Sequence, residues 1–561
     1  MVILARIAEK EKDLFKKYTC IAFLWLMLPV TSVIAAAQVQ LSPEKMAAEN
    51  AIENAGNAGI ASLQDALAQC DDLPAVKPYF FELLHVVENE HLWRQPDAIV
   101  ELGVEIAALA DDGLNPSHYF LARLGDFASH LAAGGQLSSC DSLLASYSFI
   151  VALHDLAFGR VDPVKAGFIW SDEKSRLSAQ RHVFNGLVAT GLVDVGAAFS
   201  AARPALLQYQ NLRKAYIQAL TSLPNDWTPV PFGASLAEGD RDVRVEVIRR
   251  RLYEQGFIPA SSVEQAELFA PELFDSQLTG ATMQFQRQYG LVEDGIVGKN
   301  TLAALNLSPG QLLAKVRVNL ERMRWLAREM SNDLLVVDIA GAKLDYYREG
   351  RVVWSGRAQV GRPTRKTPGL KAKITHVTLN PNWTVPPTIF RHDKLPEIRK
   401  DLAYLQKNHI RVFNREGRIL DPTQIDWNNP GAIILRQDSG ADSALGLVAI
   451  RFPNPFSVYL HDTPNRHLFA TPSRFYSSGC VRVENAMALT ELFFSDASDQ
   501  VLNTFSAVRE SGKTRNINVP RAVDILMLYW TAEADNLGAL HYRSDIYKQD
   551  EYLLRLLERS R

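Results

Sequence analysis

DLLVVDIAGAKLDYYREGRVVWSGRAQVG, residues 333–361, marks the point where the chain changes from a helical to an extended pattern. Its runs of β-branched and aromatic residues are broken by short glycine-containing turns, a pattern that predicts paired strands. Similar runs follow in AKITHVTLNPNWTVP, GAIILRQ, GLVAIRF and FSVYLHD, whereas KLPEIRKDLAYLQK and AMALTELFFS have helical spacing. The sequence therefore predicts a mostly β domain over residues 332–527, with a helix-containing insertion over about 384–445.

Residues 41–235 lack the extended pattern and are predicted to be mainly helical. DAIVELGVEIAALADDGLNP carries apolar residues three and four positions apart and stops at Asp-Gly and Pro116. SLLASYSFIVALHDLAFG is a second stretch of this kind. No chemical motif occurs here, so this region is predicted to be a structural scaffold. The Pro- and Gly-rich segment PNDWTPVPFGASL, residues 224–236, then predicts a linker.

A compact unit of three short helices is predicted over residues 240–306. RVEVIRRRLYEQGF and LTGATMQFQRQYGL each place apolar residues on one helical face, and EDGIVGKNTLAALN supplies a turn and a third helix. The unit resembles the peptidoglycan-binding domain type 1 family through its FQRQYGL segment and through Asp294, Gly295, Gly298 and Thr301. The resemblance implies binding to wall glycan or peptide. A spacer that has lost binding is the alternative.

Length, charge and the N-terminus limit the class of protein. At 561 residues the chain is too long for one core, and two to four domains are expected. The formal net charge of −3 shows no basic bias, which disfavours nucleic acid as a partner. Lys16 and Lys17 precede the apolar run CIAFLWLMLPVTSVIAAA, so residues 1–37 are predicted to be a secretory signal. An uncleaved membrane anchor is the alternative, and either segment would export the bulk of the chain.

The chain has four cysteines, of which Cys20 falls within the predicted signal. Three then remain in an oxidising compartment, so at least one thiol stays unpaired. Cys70 and Cys140 both lie in the helical region. They either pair with each other or are buried as two separate thiols. Cys480, far away in sequence, is the natural unpaired residue.

VYLHDTPNRHLFATPSRFYSSGCVRV, residues 458–483, contains Cys480 and a histidine nineteen positions before it. A cysteine attacks as thiolate, which requires a nearby base or positive charge. His461 is the candidate base because the apolar run FSVYL can hold it on a strand. The tight turn at Gly479 can direct successive N–H groups to one point, as an oxyanion hole requires. This pattern suggests a thiol acyltransferase or peptidase.

Three other interpretations remain open on spacing alone. Cys480 could simply be buried, since cysteine is among the most buried residue types. His461 could be a structural histidine at the end of a strand. His461, His467 and Cys480 could bind a metal, although their spacing matches no familiar zinc pattern.

The segment YLHDTP…SSGCVR resembles the active-site signature of the YkuD-type L,D-transpeptidases. VGRPTRKTPGL, LNPNWTVPPTI, ILRQ, SALG, FPNPFSVYLHDTP and LYWTAEADNLGALHYRSDIY extend the resemblance to the large Gram-negative subgroup, over nearly the whole mature sequence. Ser478 stands where the broad family has histidine, and the subgroup shares this serine. His461 is then the only candidate base, and the carbonyl of Asp462 is one candidate acceptor for its other nitrogen.

The resemblance implies a multidomain α+β protein with a helical scaffold, a small three-helix peptidoglycan-binding bundle and a mostly-β YkuD-type catalytic domain with a helical cap insertion. Residues 528–561 form a C-terminal extension. The location implied is the periplasm, with the N-terminal segment as a possible inner-membrane attachment. Peptidoglycan stem peptides and glycan are the implied partners, together with other wall-synthesis enzymes.

The resemblance also implies a reaction. Cys480 attacks the bond between the third residue of a stem tetrapeptide and D-Ala, and His461 takes the thiol proton. A diamino acid of a neighbouring stem then attacks the thioester, which gives a 3-3 cross-link. The amides of Gly479 and Cys480, with Tyr459 nearby, would hold the oxyanion. Ser478 is grouped with these oxyanion and substrate residues, and Arg482 would contact a substrate carboxylate or form a structural ion pair. No metal or organic cofactor is expected, and carbapenems are expected to acylate the thiol.

Three other functions remain open. Water could replace the acceptor amine, which would make the enzyme an L,D-carboxypeptidase. The chain could be a non-catalytic wall-binding protein, or it could link an outer-membrane lipoprotein to the wall. The insertion over 384–445 is expected to be a lid over the substrate groove, with RQDSGADSALG as its hinge. The alternative is an ordinary surface loop.

Overall fold

A computed structural model of the protein describes residues 63–70, 73–74, 78–89, 92–171, 173–328 and 331–560. The predicted signal, residues 1–37, lies outside these ranges. Within them, no helix combines the length and the apolar character needed to cross a bilayer.

The N-terminal part of the described chain is helical, as predicted. Its seven α-helices within the described ranges are α1 (Pro78–Asn89), α2 (Pro96–Ala108), α3 (Leu121–Ala132), α4 (Ser139–Phe158), α5 (Glu173–Val193), α6 (Val195–Ala202) and α7 (Leu207–Ser222). Helix α4 lies at the centre, with almost every residue from Leu143 to Phe158 buried. Because α4 is apolar on all sides, it packs against its neighbours around its whole circumference.

Cys70 and Cys140 form a disulfide with a Cα–Cα distance of 5.6 Å. Cys140 lies in the first turn of α4, so the bridge joins the start of the central helix to the segment that precedes α1. Of the two alternatives left open by the sequence, the paired one is therefore observed. Cys480 is the free cysteine of the described chain.

The unit that follows has four helices where the sequence predicted three. They are α8 (Arg244–Glu254), α9 (Ala260–Phe269), α10 (Ser276–Gln288) and α11 (Lys299–Leu305). Helix α9 was missed because its large apolar side chains do not mark a buried face. Leu268 and Phe269 are 78% and 81% exposed, and the residues that α9 buries include the small Ser262 and Ala266. Apolar spacing, the signal used for the other three helices, is therefore weak in α9.

Helix α12 (Pro309–Arg324) joins this unit to the β domain. Ser308 begins it with a capping box, in which Ser308 and Gln311 each accept a backbone N–H from the other. Near its end, the buried Arg324 donates to Glu321 at 2.7 Å and to the backbone carbonyl of Asp112 at 2.7 Å. A buried charge is tolerated when it is paired in this way. The pairing fixes α12 against the helical scaffold.

The β domain is built on one nine-stranded sheet. Its strands are β1 (Asp333–Asp338), β2 (Lys343–Arg348), β3 (Arg351–Gly361), β4 (Leu370–Leu379), β9 (Val448–Arg451), β10 (Leu460–His461), β11 (Phe475–Ser477), β12 (Val481–Val483) and β13 (Arg515–Leu528). The order is β11-β3-β12-β10-β9-β4-β13-β1-β2, and β2 also pairs with β3. That last pairing closes eight strands into a ring, so the sheet is a barrel with β11 added beside β3. Helices α16 (Ala486–Phe493) and α17 (Asp499–Glu510) follow β12.

The predicted insertion lies between β4 and β9 and has a sheet of its own. Its four strands, in the spatial order β5-β8-β6-β7, are β5 (Trp383–Thr384), β6 (Ile410–Phe413), β7 (Ile419–Leu420) and β8 (Ile434–Gln437). Between β5 and β6 lie the short helices α13 (Pro387–Ile389), α14 (Leu395–Lys400) and α15 (Ala403–Lys407), with a π-helical turn at Phe390–Lys394. A separate hydrophobic cluster fills this unit. The insertion is thus a small α+β unit rather than a helix alone or a bare loop.

The C-terminal residues pack against α12 and the core of the β domain. Strands β14 (Ala532–Ala534) and β15 (Leu540–Tyr542) form a hairpin, and α18 (Asp550–Glu558) follows. Asp550 accepts hydrogen bonds from Lys315 at 2.8 Å and from Arg322 at 2.7 Å, which attaches α18 to α12. Tyr547, between the hairpin and α18, is 1% exposed and packs in the core of the β domain.

Candidate active site

Strand register brings the predicted site residues to one face of the barrel. The short strands β10 and β12 are parallel, with Leu460 opposite Val481 and His461 opposite Arg482. Leu460 and Val481 are fully buried in the barrel core. Because successive side chains of a strand alternate between faces, Tyr459, His461, Cys480 and Arg482 share the opposite, outer face. A distance of 5.7 Å between the ring centroids of Tyr459 and His461 agrees with this placement.

The neighbouring strand β9 adds a second arginine to this face. Its pairing sets Ala449 opposite His461 and Ile450 opposite Leu460, so Arg451 lies beside Tyr459. The guanidinium carbon of Arg451 is 3.8 Å from the centroid of the Tyr459 ring, a cation–π contact. The cysteine and the histidine are therefore flanked by Arg451 on one side and Arg482 on the other.

His461 is held in one tautomer. The ring nitrogen Nδ1 lies 2.5 Å from the backbone carbonyl oxygen of Asp462, and the residue is only 5% exposed. A carbonyl can only accept, so Nδ1 carries the proton and donates it, which leaves Nε2 as the basic nitrogen. The candidate acceptor named from the sequence, the Asp462 carbonyl, is the partner of His461 in the structure. The Asp462 carboxylate in turn accepts the backbone N–H of Leu447 at 3.1 Å.

Burial keeps the imidazole neutral. Burial lowers the pKa of His461 to about 3, and the positive charges of Arg482 and Arg451 act in the same direction. The hydrogen bond to the Asp462 carbonyl opposes this shift but does not outweigh it. At neutral pH, His461 is therefore an unprotonated acceptor.

The thiol is also neutral at rest. Burial raises the pKa of the Cys480 thiol, while hydrogen bonds from Tyr459 and the charges of Arg451 and Arg482 oppose the increase. Burial and the proximity of Cys480 raise the pKa of the Tyr459 phenol, so this group stays protonated and can donate. At rest, Cys480 is therefore a thiol and His461 a neutral imidazole, not a thiolate and an imidazolium.

The turn before Cys480 has a defined set of hydrogen bonds. Gly479 has φ of +119°, a conformation that residues with a Cβ rarely adopt. Its N–H donates to Ser477 Oγ at 3.1 Å, and Ser477 Oγ donates to the Cys480 carbonyl at 2.5 Å. The amide of Gly479 is thus occupied, which differs from its predicted use as an oxyanion donor.

The Gly479 carbonyl has its own partner, which sets the direction of the next amide. Thr367 Oγ1 donates to this carbonyl at 2.8 Å and accepts the N–H of Gly361 at 2.8 Å. In a trans peptide, the carbonyl and the following N–H point in opposite directions. Thr367 therefore directs the N–H of Cys480 away from itself.

Tyr547 supports Thr367 from the C-terminal part of the chain. Its hydroxyl donates to the Gly361 carbonyl at 2.6 Å and accepts the N–H of Thr367 at 3.1 Å. The Tyr547 ring stacks on Tyr529 with a centroid distance of 5.1 Å and an interplanar angle of 8°. This connection was missed from the sequence because 180 residues separate Tyr547 from Thr367. The only signal was that both positions fall in segments that carry the family resemblance.

The remaining predicted residues have clear positions. Ser478 Oγ accepts hydrogen bonds from Arg365 at 2.9 Å and from Arg362 at 3.2 Å. Arg482 is half-buried and donates to the neutral side chain of Gln359 at 3.0 Å. Among the described side chains, no carboxylate forms a salt bridge with Arg482, so the predicted alternative of a structural ion pair is not observed.

In the four-helix unit, the predicted residues form the turn between α10 and α11. Gln286 Nε2 donates to Asp294 at 2.8 Å and to Thr301 Oγ1 at 3.2 Å, while Gln286 Oε1 accepts the N–H of Gly295 at 2.9 Å. Gly298 is the N-cap of α11. Asp294, Gly295 and Thr301 thus hold the turn together, which is a structural role.

The described ranges contain no group of three or more His, Cys, Asp and Glu residues arranged to hold a metal ion. His461 and Cys480 do not converge with His467 on such a site. His467 instead lies exposed in a 3-10 turn, Arg466–Ala470.

Comparison with known proteins finds a family model that matches most of the barrel. Residues 332–493 match the family model described as the L,D-transpeptidase catalytic domain, YkuD. Over these residues the chain is similar to L,D-transpeptidase catalytic domains. The matched residues include the whole of the face that carries Tyr459, His461, Cys480 and Arg482. Residues 87–215 match a scaffold domain model, and residues 241–305 match a model described as "Putative peptidoglycan binding domain".

A curated Haemophilus influenzae protein named "Putative L,D-transpeptidase" is 34% identical over 244 residues. The match covers 43% of this chain and 48% of that protein, so the chain spans about half the length of this relative.

Two solved L,D-transpeptidase structures were also matched. The one from Xylanimonas cellulosilytica is 15% identical with a TM-score of 0.17, and the match covers 53% of this chain and 98% of that one. The one from Mycobacterium smegmatis is 16% identical with a TM-score of 0.16, and covers 35% and 58%. At these scores, neither structure supports a conclusion about this chain.

Proposed function

We propose that the protein is an L,D-transpeptidase that cross-links peptidoglycan stem peptides through a thioester on Cys480. The observation that carries the proposal is the face shared by Tyr459, His461, Cys480 and Arg482 within a domain of that family. The face combines a nucleophile, a neutral base of fixed tautomer, a protonated phenol and a positive charge. Acyl transfer needs these components.

The first step is attack on the donor peptide. Cys480 Sγ adds to the carbonyl carbon of the bond between the third stem residue and D-Ala, while the thiol proton moves to His461 Nε2. The tetrahedral intermediate collapses, the C–N bond breaks, and His461 returns the proton to the departing amine of D-Ala. A thioester on Cys480 and a neutral imidazole remain. His461 suits this role because its low pKa leaves Nε2 free at neutral pH.

In the second step, an acceptor peptide attacks the thioester through the same kinds of bond and proton changes. The side-chain amine of a diamino acid on a neighbouring stem adds to the thioester carbonyl, and His461 takes a proton from the attacking nitrogen. When the C–S bond breaks, that proton passes to Cys480, which restores the thiol. The product is an amide between two third residues, a 3-3 cross-link.

The negative oxygen of each tetrahedral intermediate needs donors. The N–H of Cys480 is directed away from Thr367 by the hydrogen bond at the Gly479 carbonyl. The Tyr459 phenol is protonated and lies at the thiol. We assign the oxyanion to these two donors, since the Gly479 amide is already used by Ser477. Arg482, beside the histidine, supplies positive potential.

The other units suggest where the enzyme works. A unit that matches a peptidoglycan-binding model precedes the catalytic domain in the chain. The Cys70–Cys140 disulfide favours an oxidising compartment. We therefore place the enzyme outside the cytoplasm, in the periplasm, with peptidoglycan stems as donor and acceptor. Carbapenems are expected to acylate Cys480, because a strained amide can stand in for the donor carbonyl.

Hydrolysis on the same site is the second candidate function. The steps to the thioester are identical, and only the final nucleophile differs. The core of the insertion packs against Tyr459, so the insertion borders the site and could contact an acceptor peptide there.

The test is to incubate the full-length exported protein with purified tetrapeptide stem fragments and to read the products by mass. We expect a dimer that has lost one D-Ala, and no product with Cys480→Ala. Tripeptide alone would assign the protein as a carboxypeptidase. If wild-type protein leaves the substrate unchanged, the catalytic proposal fails and a wall-binding role would be supported.

A further inference from the structure

Two guanidinium groups converge on a single carboxylate beside the turn of residues 477–480, which we call the nucleophile turn. Arg362 and Arg365 lie in the loop between β3 and β4, and Asp393 lies in the π-helical turn of the insertion. Arg365 pairs with Asp393 in a two-bond arrangement, Nη1 to Oδ2 at 2.6 Å and Nη2 to Oδ1 at 3.1 Å. Arg362 Nη2 is 3.7 Å from the same Oδ2. Planar, two-bond pairing is the preferred mode by which arginine recognises a carboxylate.

This cluster is connected directly to the nucleophile turn. Ser478, two residues before Cys480, accepts a hydrogen bond from each arginine, at 2.9 Å and 3.2 Å. In the donor proposed above, the carboxylate carbon of the terminal D-Ala is three bonds from the carbonyl carbon that Cys480 attacks. Standard bond lengths place the two carbons within about 4 Å of each other. A donor attacked by Cys480 must therefore hold its terminal carboxylate close to the turn that the two arginines contact through Ser478.

The charges of the cluster are not balanced. Two arginines face one aspartate, which leaves one positive charge in excess. Arg362 Nε is also buried without a hydrogen-bond partner among the described residues, and a buried donor in that state is destabilising. Arg362 and Asp393 have side chains 41% and 30% exposed, so another carboxylate can reach the pair. The Arg365 side chain is only 18% exposed, so a competing carboxylate reaches the cluster first at the more open Arg362.

We propose that Arg362 and Arg365 form the binding site for the terminal carboxylate of the donor peptide, and that Asp393 occupies this site in the empty enzyme. The identity of the donor rests on the function proposed above. A donor that ends in a free carboxylate displaces Asp393, takes over the two-bond pairing and supplies the second negative charge. The site thereby selects peptides that end one residue after the bond to be cut, and its occupation releases the insertion from the nucleophile turn.

Binding is tested on full-length protein carrying Cys480→Ala, which cannot be acylated. Two probes are compared by calorimetry: a stem tetrapeptide with a free terminal carboxylate, and the same peptide with a terminal carboxamide. We expect the acid to bind about 10- to 100-fold more tightly, the range of a charge-assisted pair. Adding Arg365→Gln or Arg362→Gln should remove this preference while leaving the affinity for the carboxamide unchanged. Asp393→Asn should strengthen binding of the acid because the internal competitor is removed.

Matched variants serve as controls. Asp401→Asn removes an exposed aspartate of the same insertion that pairs with Lys407, and Arg415→Gln removes an exposed arginine there. Neither should alter the preference. Arg365→Lys keeps the charge but loses the planar fork, so part of the preference should be lost.

Two results would overturn the inference. One is equal binding of acid and carboxamide by the protein with intact arginines. The other is a loss of affinity with Asp393→Asn, which would make the aspartate a support and not a competitor. The function itself is tested separately by wild-type turnover. An active enzyme that ignores the terminal carboxylate refutes only the inference, and a chain that binds the acid selectively without turnover refutes only the function.

Discussion

At the scale of single residues, the protein uses burial to set the protonation of its reactive pair. His461 is 5% exposed with a pKa of about 3, and burial also raises the pKa of the Cys480 thiol. Both groups are neutral before reaction, which avoids the cost of two desolvated charges. The hydrogen bond from Nδ1 to the Asp462 carbonyl leaves Nε2 as the nitrogen that can accept a proton.

The two histidines of the signature segment should differ sharply in their effect. We expect His461→Ala to slow formation of the Cys480 thioester by about 10² to 10⁴-fold, the usual contribution of a positioned base. His467→Ala should leave the rate nearly unchanged because His467 is exposed in a separate turn. The measurement is the rate of Cys480 acylation by a carbapenem, followed by intact-protein mass. Equal losses in the two variants would remove His461 from its assigned role.

The low pKa of His461 predicts that the rate of Cys480 acylation changes little with pH on the acid side of neutrality. The imidazole stays neutral well below the ordinary histidine value, so the acylation rate should hold from pH 7 to pH 5. A half-loss near pH 6.5 would contradict this assignment. The check is a pH profile of the acylation rate over a range in which the fold is intact by circular dichroism.

Arg482 should shift the pKa values of His461 and Cys480 in the same direction. Its positive charge disfavours the imidazolium of His461 and favours the thiolate of Cys480, and so lowers both pKa values. Arg482→Gln should therefore raise both, which moves the alkaline rise in thiol alkylation by iodoacetamide to higher pH. Arg415→Gln, an exposed change in the insertion, is the matched control and should not move the profile. A shift to lower pH with Arg482→Gln would exclude this role.

At the scale of elements, the site depends on the loop between β3 and β4 as much as on the strands that carry the reactive residues. Thr367 holds the Gly479 carbonyl, and Arg365 holds Ser478. Two consecutive residues of the turn, Ser478 and Gly479, are thus fixed by hydrogen bonds from this loop. Two pieces of the barrel that are more than 100 residues apart in the chain define one short turn.

Removing the hydroxyl of Thr367 should impair chemistry more than binding. Thr367→Val keeps the shape of the side chain but frees the Gly479 carbonyl, so the Cys480 amide loses its fixed direction. We expect the acylation rate constant to fall about 10- to 100-fold, somewhat less than deletion of an oxyanion donor, with donor Kd unchanged. Thr504→Val, at an exposed position of α17, is the control. A rise in Kd with an unchanged rate constant would argue for a binding role instead.

How much of this could be predicted differs from element to element. The strand ending at His461, the turn at Gly479 and the helix α4 follow from local patterns, because their residues interact with near neighbours or with an entire apolar face. Helix α9 has no such face, and the strand β6 of the insertion is too short for a clear alternation. Thr367 and Tyr547 reach the site through tertiary contacts that no local pattern contains.

At the scale of the whole molecule, the helical scaffold and the barrel are joined by backbone as well as side chains. Trp170 exchanges backbone hydrogen bonds with the start of β4, donating to Gly369 at 3.0 Å and accepting from Lys371 at 2.9 Å. Arg324 of α12 donates to the backbone of the scaffold at Asp112. The catalytic domain is therefore braced along one side, with its reactive face on the outer surface of the barrel.

The disulfide should stabilise the scaffold without affecting catalysis. Cys70 and Cys140 are 70 residues apart in sequence, and closing a loop of this length is typically worth about 2 to 4 kcal/mol. We expect Cys70→Ser with Cys140→Ser to lower the first calorimetric transition, and a reductant to lower it only in wild type. Acylation of Cys480 at 25 °C should be unchanged. A loss of acylation without a loss of stability would indicate a functional link that the contacts do not suggest.

The position of Tyr547 has a consequence for the order in which the enzyme matures. If the chain is exported from its N-terminus, as proposed above, Cys480 emerges before the tyrosine that supports its turn. In the proposed enzyme, the turn that holds the thiol would gain this support only once nearly all of the chain has been delivered. We therefore expect that proteolytic cleavage just before Tyr547 would abolish the proposed activity, although none of the reacting groups would be removed.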